Sequence, residues 1–194
     1  MKNSQDRKLQ TKTLVLGAIL TALVIVLQLL GSFIRFGMFS ISLVLVPIII
    51  GAATCGTKIG TWLGLVFGIA VLASGDAASF IAIDFVGTII TVLLKGTLCG
   101  LAAGLTYNLL KKYNQYLAVM AAAVVCPVVN TGIFLLGCFV FFLEAVASWG
   151  VSLGFTSTVE YMFIGLAGGN FLFELVTNII LTPVIIRVLN FAKK

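Results

Sequence analysis

The chain has 194 residues, 61% of them hydrophobic and 9% charged, with a formal net charge of +6; an average soluble domain is about 25% charged. This composition excludes an ordinary soluble enzyme and predicts an integral membrane protein whose basic residues mark helix ends rather than a nucleic-acid surface. Histidine is absent, which removes Ser-His and Cys-His catalysis and histidine-based metal ligation, so neither catalytic residues nor a resident metal or cofactor is expected.

In chain order, Lys2, Arg7, Lys8 and Lys12 precede an apolar run over 13–33 that is longer than a signal-peptide core and is followed by many more such runs. It reads as an uncleaved first span. Length and punctuation predict six helices, roughly 13–31, 42–54, 59–73, 85–110, 116–143 and 163–189, the second and third being short. The expected architecture is a single all-α membrane domain over 1–194, a six-helix bundle over 13–189 with basic tails at 1–12 and 190–194. Six spans with both termini in the cytoplasm gather Lys2, Arg7, Lys8, Lys12, Lys58, Lys111, Lys112, Arg187, Lys193 and Lys194 inside and leave only Arg35 outside. Asp76, Asp84, Glu144 and Glu160 then fall outside.

In the first helix Ala18 and Ala22 lie one turn apart beside Gly17 and Thr21. Small residues at this spacing admit a close-packed helix, either of the same subunit or of a separate membrane protein. Glycines at 56, 60, 64 and 68, and again at 96, 100 and 104, form two ladders that predict close backbone approach. The string GAATCGTK at 51–58 has the wrong order for a phosphate loop and follows no strand. Cys55, Cys99, Cys126 and Cys138 lie in or beside apolar segments without CxxC spacing and read as small buried side chains. Three outer connections, 31–41, 74–84 and 144–162, are plausible lids over an outward-facing pocket. Trp149 and Tyr161 in the last of them suit interfacial anchoring equally well.

Polar groups that lipid would reject fall on three helices. The fourth carries Lys95 with Thr88, Thr91 and Thr97; the fifth carries Asn130 and Thr131 after Pro127, whose ring frees the carbonyl of Ala123. The sixth carries Asn170, Glu174 and Asn178 on one face. An ionised carboxylate on a membrane helix costs roughly 2.5–3.5 kcal/mol on insertion scales, so this face must meet a protein interior or a wet cavity. A Lys95–Glu174 ion pair with the amides cross-linking helices would account for part of the set. The full set exceeds what registration of short helices needs, and it predicts a site for a small, hydrogen-bond-rich solute in the outer half of helices four to six.

At these residues the chain resembles the substrate-binding S components of energy-coupling factor (ECF) vitamin transporters. The likeness rests on six predicted helices, a basic start leading into LVLGAILTALVIVL with its Ala18-x-x-x-Ala22 motif, glycine-rich second and third helices, and KGTLCGLAAGLTY in the fourth. Together with CPVVNTGIF and GGNFLFELVTN, that last segment is most similar to the pantothenate-type branch, although riboflavin-type members share the architecture. The resemblance implies a high-affinity vitamin-binding subunit of a prokaryotic plasma membrane. Release of the vitamin would be driven by a transmembrane coupling subunit, docked at Ala18 and Ala22, and two ATPase subunits. The substrate carboxylate would seek Lys95 or Arg35, its amides and hydroxyls would suit Asn130, Thr131 and Asn170, and Glu174 would meet a hydroxyl or Lys95, with Asn178 left to packing. The remaining alternatives are an S component for riboflavin or another vitamin, and a stand-alone proton-coupled carrier in which Glu174 and Lys95 titrate.

Overall fold

The computed structural model describes residues 4–33, 35–36, 39–40 and 43–193, and the side chain of Arg35 lies outside what it describes. Ten of its elements are helical: α1 (Ser4–Gly31), α2 (Leu45–Thr54), α3 (Thr57–Ala73), α4 (Ala78–Ile81), α5 (Phe85–Leu110), α6 (Gln115–Phe141), α7 (Leu143–Ser152), α8 (Thr158–Glu160), a π-helical turn (Tyr161–Leu166) and α9 (Gly168–Lys193). A two-residue antiparallel pairing of β1 (Arg35–Phe36) with β2 (Phe39–Ser40) precedes α2. Among the described residues, five helical stretches are long and apolar enough to cross a membrane: Thr11–Gly31, Thr57–Ser74, Phe85–Leu110, Gln115–Phe141 and Thr158–Phe191. The predicted second span corresponds to α2, whose ten residues are about 15 Å long and half a bilayer core deep.

Local chemistry sets several of the helix boundaries. Asp84 caps α5 by accepting the N–H of Gly87 at 2.9 Å, and Asn114 caps α6 by accepting those of Tyr116 and Leu117. Gly56, with φ of +94°, supplies the left-handed residue that reverses the chain between α2 and α3. The predicted fifth helix ends at Phe141, with α7 following directly. Pro127 and Pro183 both sit inside continuous helices, as neighbouring helices permit in a membrane.

The glycine ladders meet each other. A Cβ on Gly64 would strike the carbonyl of Gly96, and one on Gly100 would strike that of Gly60, so α3 and α5 lie backbone against backbone. The central core gathers Leu45, Ile48, Ile49, Leu63, Phe67, Val92, Cys99 and Cys126 around this seam. α1 joins it through Gly17, Leu20, Val24 and Gln28, all buried, while Ala18 and Ala22 on its other side are exposed.

Contacts near the helix ends group the loops. Cys55 Sγ lies 3.9 Å from the Thr13 carbonyl, Asn108 donates to Thr57 at 2.8 Å, and Gln115 donates to Asn190 at 3.0 Å. One end of the bundle therefore carries Lys12, Lys58, Lys111, Lys112 and Arg187. At the opposite end a second core packs Phe80, Cys138, Phe142, Val146, Tyr161, Met162 and Leu166, with Trp149 partly buried against it. Tyr161 is buried there, so it belongs to this cap and not to an exposed interfacial belt.

Candidate functional site

Beneath the aromatic cap lies an open cavity of about 600 Å³, its mouth included. Lys95 reaches it from α5, ten residues past Phe85 and thus about 15 Å along that helix. Phe67 and Val71 come from α3, Thr88, Thr91 and Val92 from α5, and Phe134 and Phe142 form part of the opposite wall. Phe80 closes the top, edge-on to Phe134 at 5.6 Å, Phe142 at 5.1 Å and Trp149 at 5.4 Å between ring centroids. A second cavity of about 300 Å³ adjoins the first and is lined by Lys95, Asn130, Thr131, Phe134, Leu166, Ala167 and Asn170. Lys95, Phe134 and Asn170 border both.

The ammonium of Lys95 stands 5.5 Å from the ring centroids of both Phe67 and Phe134. Cation–π attraction at this range is worth about 0.5–2 kcal/mol, enough to orient the side chain but far less than a partly desolvated charge gives up in water. Among the described residues no carboxylate lies within ion-pair distance of it. The Lys95–Glu174 contact expected as one alternative is thus not a direct ion pair, and the cation faces the cavity.

Glu174 sits one layer behind. It is 2% exposed and lines neither cavity. Its Oε2 accepts from Asn130 Nδ2 and its Oε1 from Asn170 Nδ2, each at 3.3 Å. Asn130 is 4% exposed, and its Oδ1 has no partner among the described residues. Asn178 is buried one turn below and borders neither cavity, and its Nδ2 has no partner among the described residues.

Two cavity residues escaped the sequence reading of the site. Gln28, 3% exposed, donates to Asp76 Oδ2 at 2.6 Å and approaches Ser74 Oγ at 3.4 Å, and both Gln28 and Asp76 line the larger cavity. A long amide in the otherwise apolar second half of α1 was the available signal. The aromatic walls had none, because phenylalanines in a membrane chain look the same whether they face lipid, core or cavity.

A family model described as "ECF transporter, substrate-specific component" matches residues 12–189. No curated protein and no solved structure matches the chain significantly.

Proposed function

The chain belongs to the substrate-specific component family of ECF transporters, and on that premise we propose that it is the high-affinity pantothenate-binding subunit of an ATP-driven importer. Membership makes it a multi-pass transport subunit, of a family that binds a small-molecule substrate and works with a membrane coupling component and ATPases. The choice of vitamin rests chiefly on Lys95, a cation in a mostly apolar cavity with no described carboxylate within ion-pair distance. Such a site asks its ligand for an anion. Thiamine is a cation and riboflavin carries no carboxylate, so Lys95 favours a carboxylate-bearing vitamin; biotin and folate also qualify, and pantothenate is preferred among them for its size and for the likeness of the segments at 95–107, 126–134 and 168–178 to the pantothenate-type branch. Pantothenate brings a carboxylate for Lys95, a branched dimethyl carbon for the phenylalanine walls, and hydroxyls for Asp76, Thr88 and Thr91. Asn130, Thr131 and Asn170 supply the remaining polar contacts. Arg35 is kept as a second carboxylate partner from the outer connection.

The coupling subunit docks on α1 at Ala18 and Ala22, whose exposure leaves that face open for a partner helix. The basic end of the bundle faces the cytoplasm of a prokaryotic cell, with both termini on that side, and the aromatic cap faces outward. The test is calorimetric titration of the purified chain, without ATP, with pantothenate, riboflavin, thiamine, biotin and folate in turn. Pantothenate is expected to bind at one site per chain, and Lys95→Met to weaken it by about 100-fold, the worth of a charge-assisted contact in an apolar site. Tight binding of another vitamin, or of none, would overturn the assignment.

A further inference from the structure

We propose that Glu174 is a positioning residue that sets the hydrogen-bonding sense of the cavity: by taking an N–H from each of Asn130 and Asn170 it fixes their amides and leaves the Asn130 oxygen for the ligand, so that this wall selects for a donor. A side-chain amide is donor at one end and acceptor at the other, and its neighbours decide which end points where. Each oxygen of Glu174 receives one amide N–H, from Asn130 and from Asn170. The consequence is visible at Asn130: the residue lines the smaller cavity, and its Oδ1 has no partner among the described residues and is itself closed to solvent, so a ligand donor reaches it only as that wall gives way. A buried acceptor without a donor is costly, and a ligand N–H would remove that cost.

The same cavity is bordered by Lys95, so the preferred ligand carries an N–H a short distance from its anion. This deepens the pantothenate reading and rests on it: in pantothenate two methylenes separate the carboxylate from an amide N–H. With Lys95 on the carboxylate, that N–H is the natural partner of the Asn130 oxygen. A ligand presenting an acceptor at this point would set oxygen against oxygen, and a site built around a donor rejects such an analogue strongly.

The experiment compares pantothenate with its ester counterpart, in which oxygen replaces the amide N–H, by calorimetry on the purified full chain. The wild-type protein is expected to bind the ester about 30-fold more weakly, the size of one buried hydrogen bond left unmade. Glu174→Gln can offer an N–H of its own and let Asn130 turn over, so the ratio should shrink to about 5-fold or less. Asn130→Ala, which removes the acceptor, should shrink it likewise without depending on Glu174→Gln folding. Lys95→Met should weaken both ligands and keep the ratio. A wild-type ratio near one overturns the inference while leaving the pantothenate reading intact. So does a Glu174→Gln protein of unchanged melting temperature that weakens both ligands equally, since that is the behaviour of a packing residue. A wild-type protein that binds no pantothenate overturns both.

Discussion

Lys95 sits between Phe67 and Phe134, and the rings hold the ammonium without neutralising it. A carboxylate in their place would stabilise the empty protein and leave nothing for an incoming anion to gain. Gln28 plays a different part. Its bond to Asp76 ties α1 to the turn after α3 at the cavity mouth. Gln28→Leu removes one donor from a buried hydrogen bond to a charged group, worth about 1.5–3 kcal/mol. We expect a lower melting temperature and faster proteolysis at the turn around 74–77, measured by limited digestion with and without pantothenate. Protection by the vitamin should be smaller than in the wild type, because the turn that carries Asp76 starts from a looser state. An unchanged digestion pattern would mean that the contact holds nothing in place.

Among the elements, the seam between α3 and α5 depends on the absence of side chains. Gly96→Val would put two methyl groups into the backbone of α3, an overpacking that costs about 1–3 kcal/mol or more where backbone cannot move aside. Gly132→Ala is the matched control, since a Cβ there meets nothing within 4 Å. Thermal melting in detergent should fall clearly for the first and stay level for the second. The contrast also marks how far sequence reaches. Glycines every fourth residue announce the seam by themselves, because the period of a helix is fixed and small residues have few other uses on it. The polar residues of α5, α6 and α9 are legible for a similar reason, since a buried charge or amide in a membrane must have a purpose. The depth of each group is not legible. Glu174 lies behind Asn130 and Asn170, each of which donates to one of its oxygens, and residue spacing on one helix does not tell which of several polar groups faces the cavity and which backs it. The end of α2, by contrast, is legible, because Gly56 with its positive φ marks the reversal into α3.

At the scale of the whole molecule, the cavity and the proposed docking surface fall on different sides of one helix. α1 turns Gly17, Leu20, Val24 and Gln28 inward, and Gln28 reaches the cavity; Ala18 and Ala22 look away. The two sides are therefore separable by mutation. Ala18→Trp should leave pantothenate affinity within about 2-fold, as a surface change remote from the cavity does. Uptake in vesicles reconstituted with the coupling subunit and ATPases should be lost. Uptake that survives Ala18→Trp would move the docking surface elsewhere, and uptake by this chain alone under a proton gradient would favour a self-sufficient carrier.

The close glycine contact has a mechanical meaning as well. Where backbone meets backbone there is no side chain to change rotamer and little space to compress, so α3 and α5, carrying Phe67 and Lys95, form a stiff wall. The facing wall is built from α6 and α9, joined to the cap through a π-helical turn whose backbone spacing is wider than that of an α-helix. Gly132, Gly168 and Phe163 border a further, mostly apolar groove of about 520 Å³ along α6 and the start of α9. On the proposed function, a ligand entering the cavity would bear on this stiff wall, and movement on binding is expected in α9 and the π-helical turn rather than in α3, α5 or the part of α6 where Gly137 packs onto Thr91.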